Sequence, residues 1–140
     1  EKDLVIQKKL DTYFEKSANV NLDKEIRLKY TDSAEIFIQK INIVDSLKIK
    51  NYFKVANRFF MLTEYEKYKK ITFDILKLAK SNKDSINSAK AEYYLGDYYF
   101  STFKNDSAYY YYLAAASVVA AASLAARVDL THTPGFLYYP

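Results

Sequence analysis

Cysteine is absent from the 140 residues, so neither a disulfide framework nor a thiolate metal site can be built. Histidine occurs once, at His132, flanked by Thr131 and Thr133. With no nucleophile, base or metal partner beside it, that side chain reads as a tail residue. Proline and glycine are nearly missing: Glu1 to Leu113 holds no Pro and one Gly, Gly96. Hairpins and tight turns draw on both residue types, so their shortage argues against a strand-and-turn protein and predicts an all-α fold. Also lacking are HExxH, the P-loop pattern and GxGxxG, which leaves metallopeptidase, nucleotide-cradling and dinucleotide-binding readings without support. Carboxylates such as Glu64 and Glu66 point to different sides of a helix and cannot share one proton. The expectation is a protein that is not an enzyme and that needs no cofactor and no metal.

What is present suits a folded domain. Half the residues are apolar and 27% are charged, a composition in which a chain of this length buries a core. The net charge of +4 is mild, and lysines alternate with acids, as in Glu64, Glu66, Lys67, Lys69 and Lys70. That is a solvated helix face rather than the acid-free basic stripe that nucleic acid requires, so no nucleic-acid partner is expected. The chain opens on Glu1 without Met, which suggests a trimmed or processed start.

Apolar spacing gives the helices. Tyr65, Tyr68, Ile71, Thr72, Ile75, Leu76 and Ala79 recur at steps of three and four, one stripe of an amphipathic helix. Thr63 with Glu66 spells a capping box at its start. Tyr52, Val55, Ala56, Phe59 and Leu62 form the matching stripe before it, with Asp45 as the expected N-cap. The spacing predicts six helices over 3–17, 23–41, 46–62, 64–81, 85–102 and 105–126, joined by short loops.

Paired helices with short loops call for a repeat search. The triplets Asp32-Ser33-Ala34 and Asp106-Ser107-Ala108 are each followed by apolar residues four and seven positions on: Ile38 and Ile41, then Tyr112 and Ala115. Tyr68, Thr72 and Ile75 occupy the same frame between them, so the anchors stand 34 and then 40 residues apart. In the unit beginning near Ala89, the series Leu95, Gly96, Tyr99, Ala108, Tyr112 and Ala115 resembles the small-and-aromatic signature of the tetratricopeptide repeat family. Small residues there let two helices approach, and aromatics fill the gaps. Glu92 and Ala120 depart from that pattern, where an aromatic and a Pro are usual. A looser unit begins near Ile49, and the pair 3–41 keeps only the second-helix pattern. The resemblance implies a right-handed helical-hairpin solenoid of about three units over residues 1–113. The stretch LGDYYFSTFKNDSAYYYY is similar to the arrays of bacterial sensor histidine kinases and regulators, which implies a signalling role. It leans towards an extracytoplasmic region of a membrane sensor and leaves the cytoplasm open.

Composition breaks after Leu113. Residues 114–126 hold eight Ala, against seven in the whole of 1–113, and Ser107 to Ala126 carries no charge. Three readings of 114–140 stand side by side. One is a genuine Ala-rich helix, which Ala favours by propensity. Another is sequence foreign to the natural chain, or alanine standing in for residues of unassigned identity. The last is a membrane segment, for which the length suits a bilayer but Ala and Ser supply little insertion energy. No membrane insertion by this segment is expected.

Tyr or Phe fills half of the positions from Tyr93 to Tyr112. Tyr94, Tyr98, Tyr99 and Tyr112 suit a core, whereas Tyr109 to Tyr112 surround a full helical turn, so some must face solvent, a further helix or a partner. The resemblance also implies a concave groove lined by the first helix of each unit. Carried onto this sequence, its residues are Lys50, Phe53, Asn57, Phe60 and Met61, then Lys90, Tyr93, Asp97, Phe100 and Ser101. Lys54 lies one turn from Lys50 and, with Lys50, Asn57 and Lys90, forms a candidate clamp for a carboxylate. The expected partner is a protein or peptide, with a homodimer as the alternative.

Overall fold

The computed structural model describes residues 2–130, and the tail bearing His132 lies outside the described residues. Six helices follow in order: α1 (Lys2–Ala18), α2 (Lys24–Lys40), α3 (Asp45–Met61), α4 (Tyr65–Ser81), α5 (Ser85–Ser101) and α6 (Asn105–Leu130). No strand occurs among the described residues, so the fold is all-α. Each helix packs on the next, and α1 also reaches α3. Helix α6 passes residue 113 without a break and is longer, at 26 residues, than the 17-residue helices before it. Among the described residues no helix is long and apolar enough to cross a membrane.

Helices α3 to α6 start at residues 45, 65, 85 and 105, one every twenty. The regularity comes from three copies of one turn. The α3–α4 link has Glu64 N–H donating to the Phe59 carbonyl at 2.9 Å and Thr63 N–H donating to Phe60 at 3.0 Å. Asp84 and Lys83 repeat this on Ala79 and Lys80, and Lys104 and Phe103 on Tyr99 and Phe100. These are Schellman motifs, whose pivotal residue sits in the left-handed region and is usually Gly. Here it is Thr63, Lys83 and Phe103, at φ 59°, 55° and 61°. A turn type that normally uses glycine is therefore built without it.

That geometry corrects two expected caps. Thr63 is the last residue of the α3 turn, so its hydroxyl cannot cap α4: it donates to the Leu62 carbonyl and accepts from Lys24 Nζ at 3.0 Å. Helix α4 follows Glu64 with no side-chain cap, and no capping box forms. Asp45 lies inside the first turn of α3, where Val44 is the N-cap. Its carboxylate still favours the helix N-terminus and accepts from Asn82 Nδ2 at 2.9 Å. Asp84 does cap α5, accepting from Asn87 N–H at 3.1 Å.

The core runs along the whole array. Ile6, Leu10 and Phe14 of α1 meet Ala34 and Ile38 of α2, and burial continues through Val55 and Phe59, Ile71 and Ile75, to Ala91 and Leu95. The expected stripes of α3 and α4 are the buried faces. Two arginines close the end of α1: Arg27 Nε donates to the Ser17 carbonyl at 2.8 Å, and Arg58 Nη2 to Phe14 at 3.4 Å. Cations suit a helix C-terminus. Burial, and then the neighbouring Arg27, lower the Arg58 pKa from its ordinary value.

Candidate docking groove between α5 and α6

The proposed groove residues separate into three groups. Phe53 is in the core, 4% exposed. Tyr94 packs edge-on to its ring at 5.1 Å between centroids, and Lys90 Nζ lies 4.3 Å above it. Phe60 is half-buried against Tyr65 and Tyr68. Lys54 reaches the other way, 5.5 Å from the Phe14 ring of α1. Lys50, Asn57 and Met61 are exposed on α3. Burial raises the Tyr94 pKa. Two of the three clamp lysines are thus laid over aromatic rings on different helices.

The third group comes together. Lys90, Tyr93 and Phe100 line one side of an open groove of about 940 Å³. Ile86 and Ala89 complete that α5 wall, while Tyr112, Ala115, Ala116, Val119 and Ala120 of α6 form the opposite one. Lys90 is the sole charged residue among these ten. Tyr93 is 53% exposed, Phe100 63% and Val119 53%, a concentration of bare apolar surface of the kind that marks interaction sites.

Gly96 sets the groove's depth. A Cβ there would fall 2.5 Å from Tyr112 Cδ1 and Cε1, so only glycine lets the ring come this close to α5. The ring then meets Tyr93 at 5.2 Å, and its hydroxyl donates to Asp97 Oδ1 at 2.6 Å. Asp97, expected to face the groove, is therefore engaged in holding one of its walls. Burial, with the hydrogen bond to the Asp97 carboxylate, pushes the Tyr112 phenol above its usual range.

Of the α6 residues on this surface, only Tyr112 is among those the sequence offers to a core or a partner; Ala115, Ala116, Val119 and Ala120 are not assigned to a groove. The signal for the others is the charge-free run from Ser107 to Ala126. Among the described residues, no group of three His, Cys, Asp or Glu side chains is placed to hold a metal. Comparison with protein-family models, with curated proteins and with solved structures returns no match.

Proposed function

We propose that this chain is a helical-repeat interaction domain that docks an α-helical segment of a protein in the α5–α6 groove. In this reading the six helices are three hairpins of a right-handed, tetratricopeptide-like solenoid, and the domain serves as the input or regulatory region of a signalling protein. The observation that carries it is the groove itself. Ten side chains from two adjacent helices enclose about 940 Å³, nine of them uncharged, and its shape suits helix-in-groove recognition. The twenty-residue helix spacing supports the repeat reading. The exposed Tyr109 and Tyr110 favour the second reading, a structural role in self-association.

The test is comparative capture from cells of the parent organism, with immobilised wild type and a Val119→Asp variant. Val119 is half-exposed, so Asp there leaves the melting temperature nearly unchanged while placing a charge in the groove. Loss of specific partners with the variant supports the reading. Equal capture by both proteins sinks it.

A further inference from the structure

The repeat itself shows what the groove lacks. One hairpin earlier, the equivalent surface on α3 and α4 is covered by α5. Tyr94 packs edge-on to Phe53 and stacks on Tyr68, the Tyr68 hydroxyl donates to the Tyr94 carbonyl at 2.8 Å, and Tyr98 donates to Glu66. Forty residues on, Phe53 becomes Tyr93, Leu76 becomes Ala116 and Ala79 becomes Val119. Exposure rises from 4% at Phe53 to 53% at Tyr93, and from 0% at Ala79 to 53% at Val119. Among the described residues, then, no helix covers this face.

Its chemistry can be read from the differences. Ile75 and Leu76 of α4 correspond to Ala115 and Ala116, so the floor is shallower in side chain and calls for a bulkier occupant than α5. Lys80, which meets Glu92 of α5 at 3.8 Å, corresponds to Ala120, so a buried acid on the occupant would have no cation there. The occupant is an uncharged helix face with large apolar side chains.

The chain carries such a face beside the groove. On α6, Tyr109, Leu113 and Leu124 are 69%, 52% and 63% exposed. They line one ridge at spacings of four and eleven residues, interrupted by the small Ala116 and Ala120. No charge lies on α6 between Ser107 and Ala126, so two such surfaces meet without repulsion although the chain as a whole carries +4. The ridge and the groove adjoin on one hairpin, so a two-fold pairing seats each ridge in the other's groove and covers both at once.

The geometry points to α6 of a second copy of this chain as the helix that fills the α5–α6 groove, an inference that rests on reading that groove as a docking site. The two copies then form an antiparallel four-helix layer from two α5–α6 hairpins, each groove being complete only with the partner's Tyr109 and Leu113 ridge.

The experiment is multi-angle light scattering on the full chain from micromolar to sub-millimolar concentration, with cysteine cross-linking in a chain that has no native Cys. The expected mass is twice 16.3 kDa, falling to a single copy in Leu113→Asp (ridge) and Val119→Asp (groove). Leu4→Asp, on exposed α1, keeps the dimer, and circular dichroism is unchanged in all three. Mild oxidation links Ala116→Cys into a covalent dimer and leaves Asp11→Cys unlinked. A single-copy mass at every concentration overturns the inference, as does a dimer indifferent to both Asp variants or cross-linked through Asp11→Cys. Capture of a different protein in a Val119→Asp-sensitive way by a single-copy wild type overturns only this choice of occupant and leaves the docking reading standing. A single-copy mass together with capture indifferent to Val119→Asp sinks both.

Discussion

Gly96→Ala sets helix propensity against packing, and the structure decides the sign. In an isolated helix the change gains roughly 1 kcal/mol, because Ala loses less backbone entropy than Gly. In α5 the new methyl would lie 2.5 Å from two carbons of the Tyr112 ring, so the ring must move. Forcing a methyl into an occupied site costs about 1–3 kcal/mol. The displaced ring also gives up the 2.6 Å bond from Tyr112 to Asp97. A hydrogen bond to a charged group contributes about 1.5–3 kcal/mol, nearer the lower end here because both residues are half-exposed. The balance is a destabilisation of about 1.5–3.5 kcal/mol, a fall in Tm of roughly 6–14 °C for a chain of this size. Thermal unfolding by circular dichroism measures it. The decisive control is the same substitution in a Tyr112→Ala background, where no ring remains to be displaced and Gly96→Ala is expected to stabilise by about 0.5–1 kcal/mol. If Gly96→Ala raises Tm in the wild-type background, or lowers it equally in both, the close approach of α5 and α6 does not govern this position.

Thr63 is β-branched at φ 59°, so Thr63→Gly is expected to stabilise by about 0.5–1 kcal/mol in urea unfolding, relief of left-handed strain outweighing the extra freedom of the unfolded chain. Asp32→Ala removes the 2.9 Å pair between α2 and Lys67 of α4, yet both partners are more than a third exposed, so Tm should move by no more than the effect of about 0.5 kcal/mol. Burial raises the phenol pKa of Tyr52, Tyr68, Tyr94, Tyr98, Tyr111 and Tyr112. Since the folded values lie above the unfolded one, their contribution is fully present below pH of about 10 and is lost as pH rises beyond it. Stability measured from pH 8 to 11 should therefore be flat and then fall, and Tyr68→Phe should soften the fall while costing roughly 0.5–1.5 kcal/mol at neutral pH for the bond to the Tyr94 carbonyl.

The helices were legible because their signal is local. Tyr65, Tyr68, Ile71, Thr72, Ile75, Leu76 and Ala79 announce a buried stripe by spacing alone; six of the seven are buried, and Tyr65 at its start is half-buried. The shortage of Pro and Gly pointed the same way, since a helix interior tolerates neither well. The caps were less legible. Thr63 and Glu66 have the letters of a capping box, but the turn needs Thr63 in the left-handed region to satisfy the Phe59 and Phe60 carbonyls, and that takes its hydroxyl out of reach of α4. Ending α3 and starting α4 compete for one residue, and the two-bond turn wins.

The groove was legible by halves. Lys90, Tyr93 and Phe100 could be named from α5, whereas Phe53 could not be told from them, because its cover arrives from Lys90 and Tyr94, some forty residues later in the chain. The α6 wall carried no pattern that distinguishes one face from another, since a run of Ala, Ser and Val looks alike from every side. By itself the sequence determined an all-α chain of six helices and the inward faces of α3 and α4, because period and turn composition act within a few residues. Only the tertiary structure decided which aromatics are covered, how Gly96 seats Tyr112, and that α5 and α6 leave a groove between them that none of the described residues covers, because each depends on a helix brought alongside by packing.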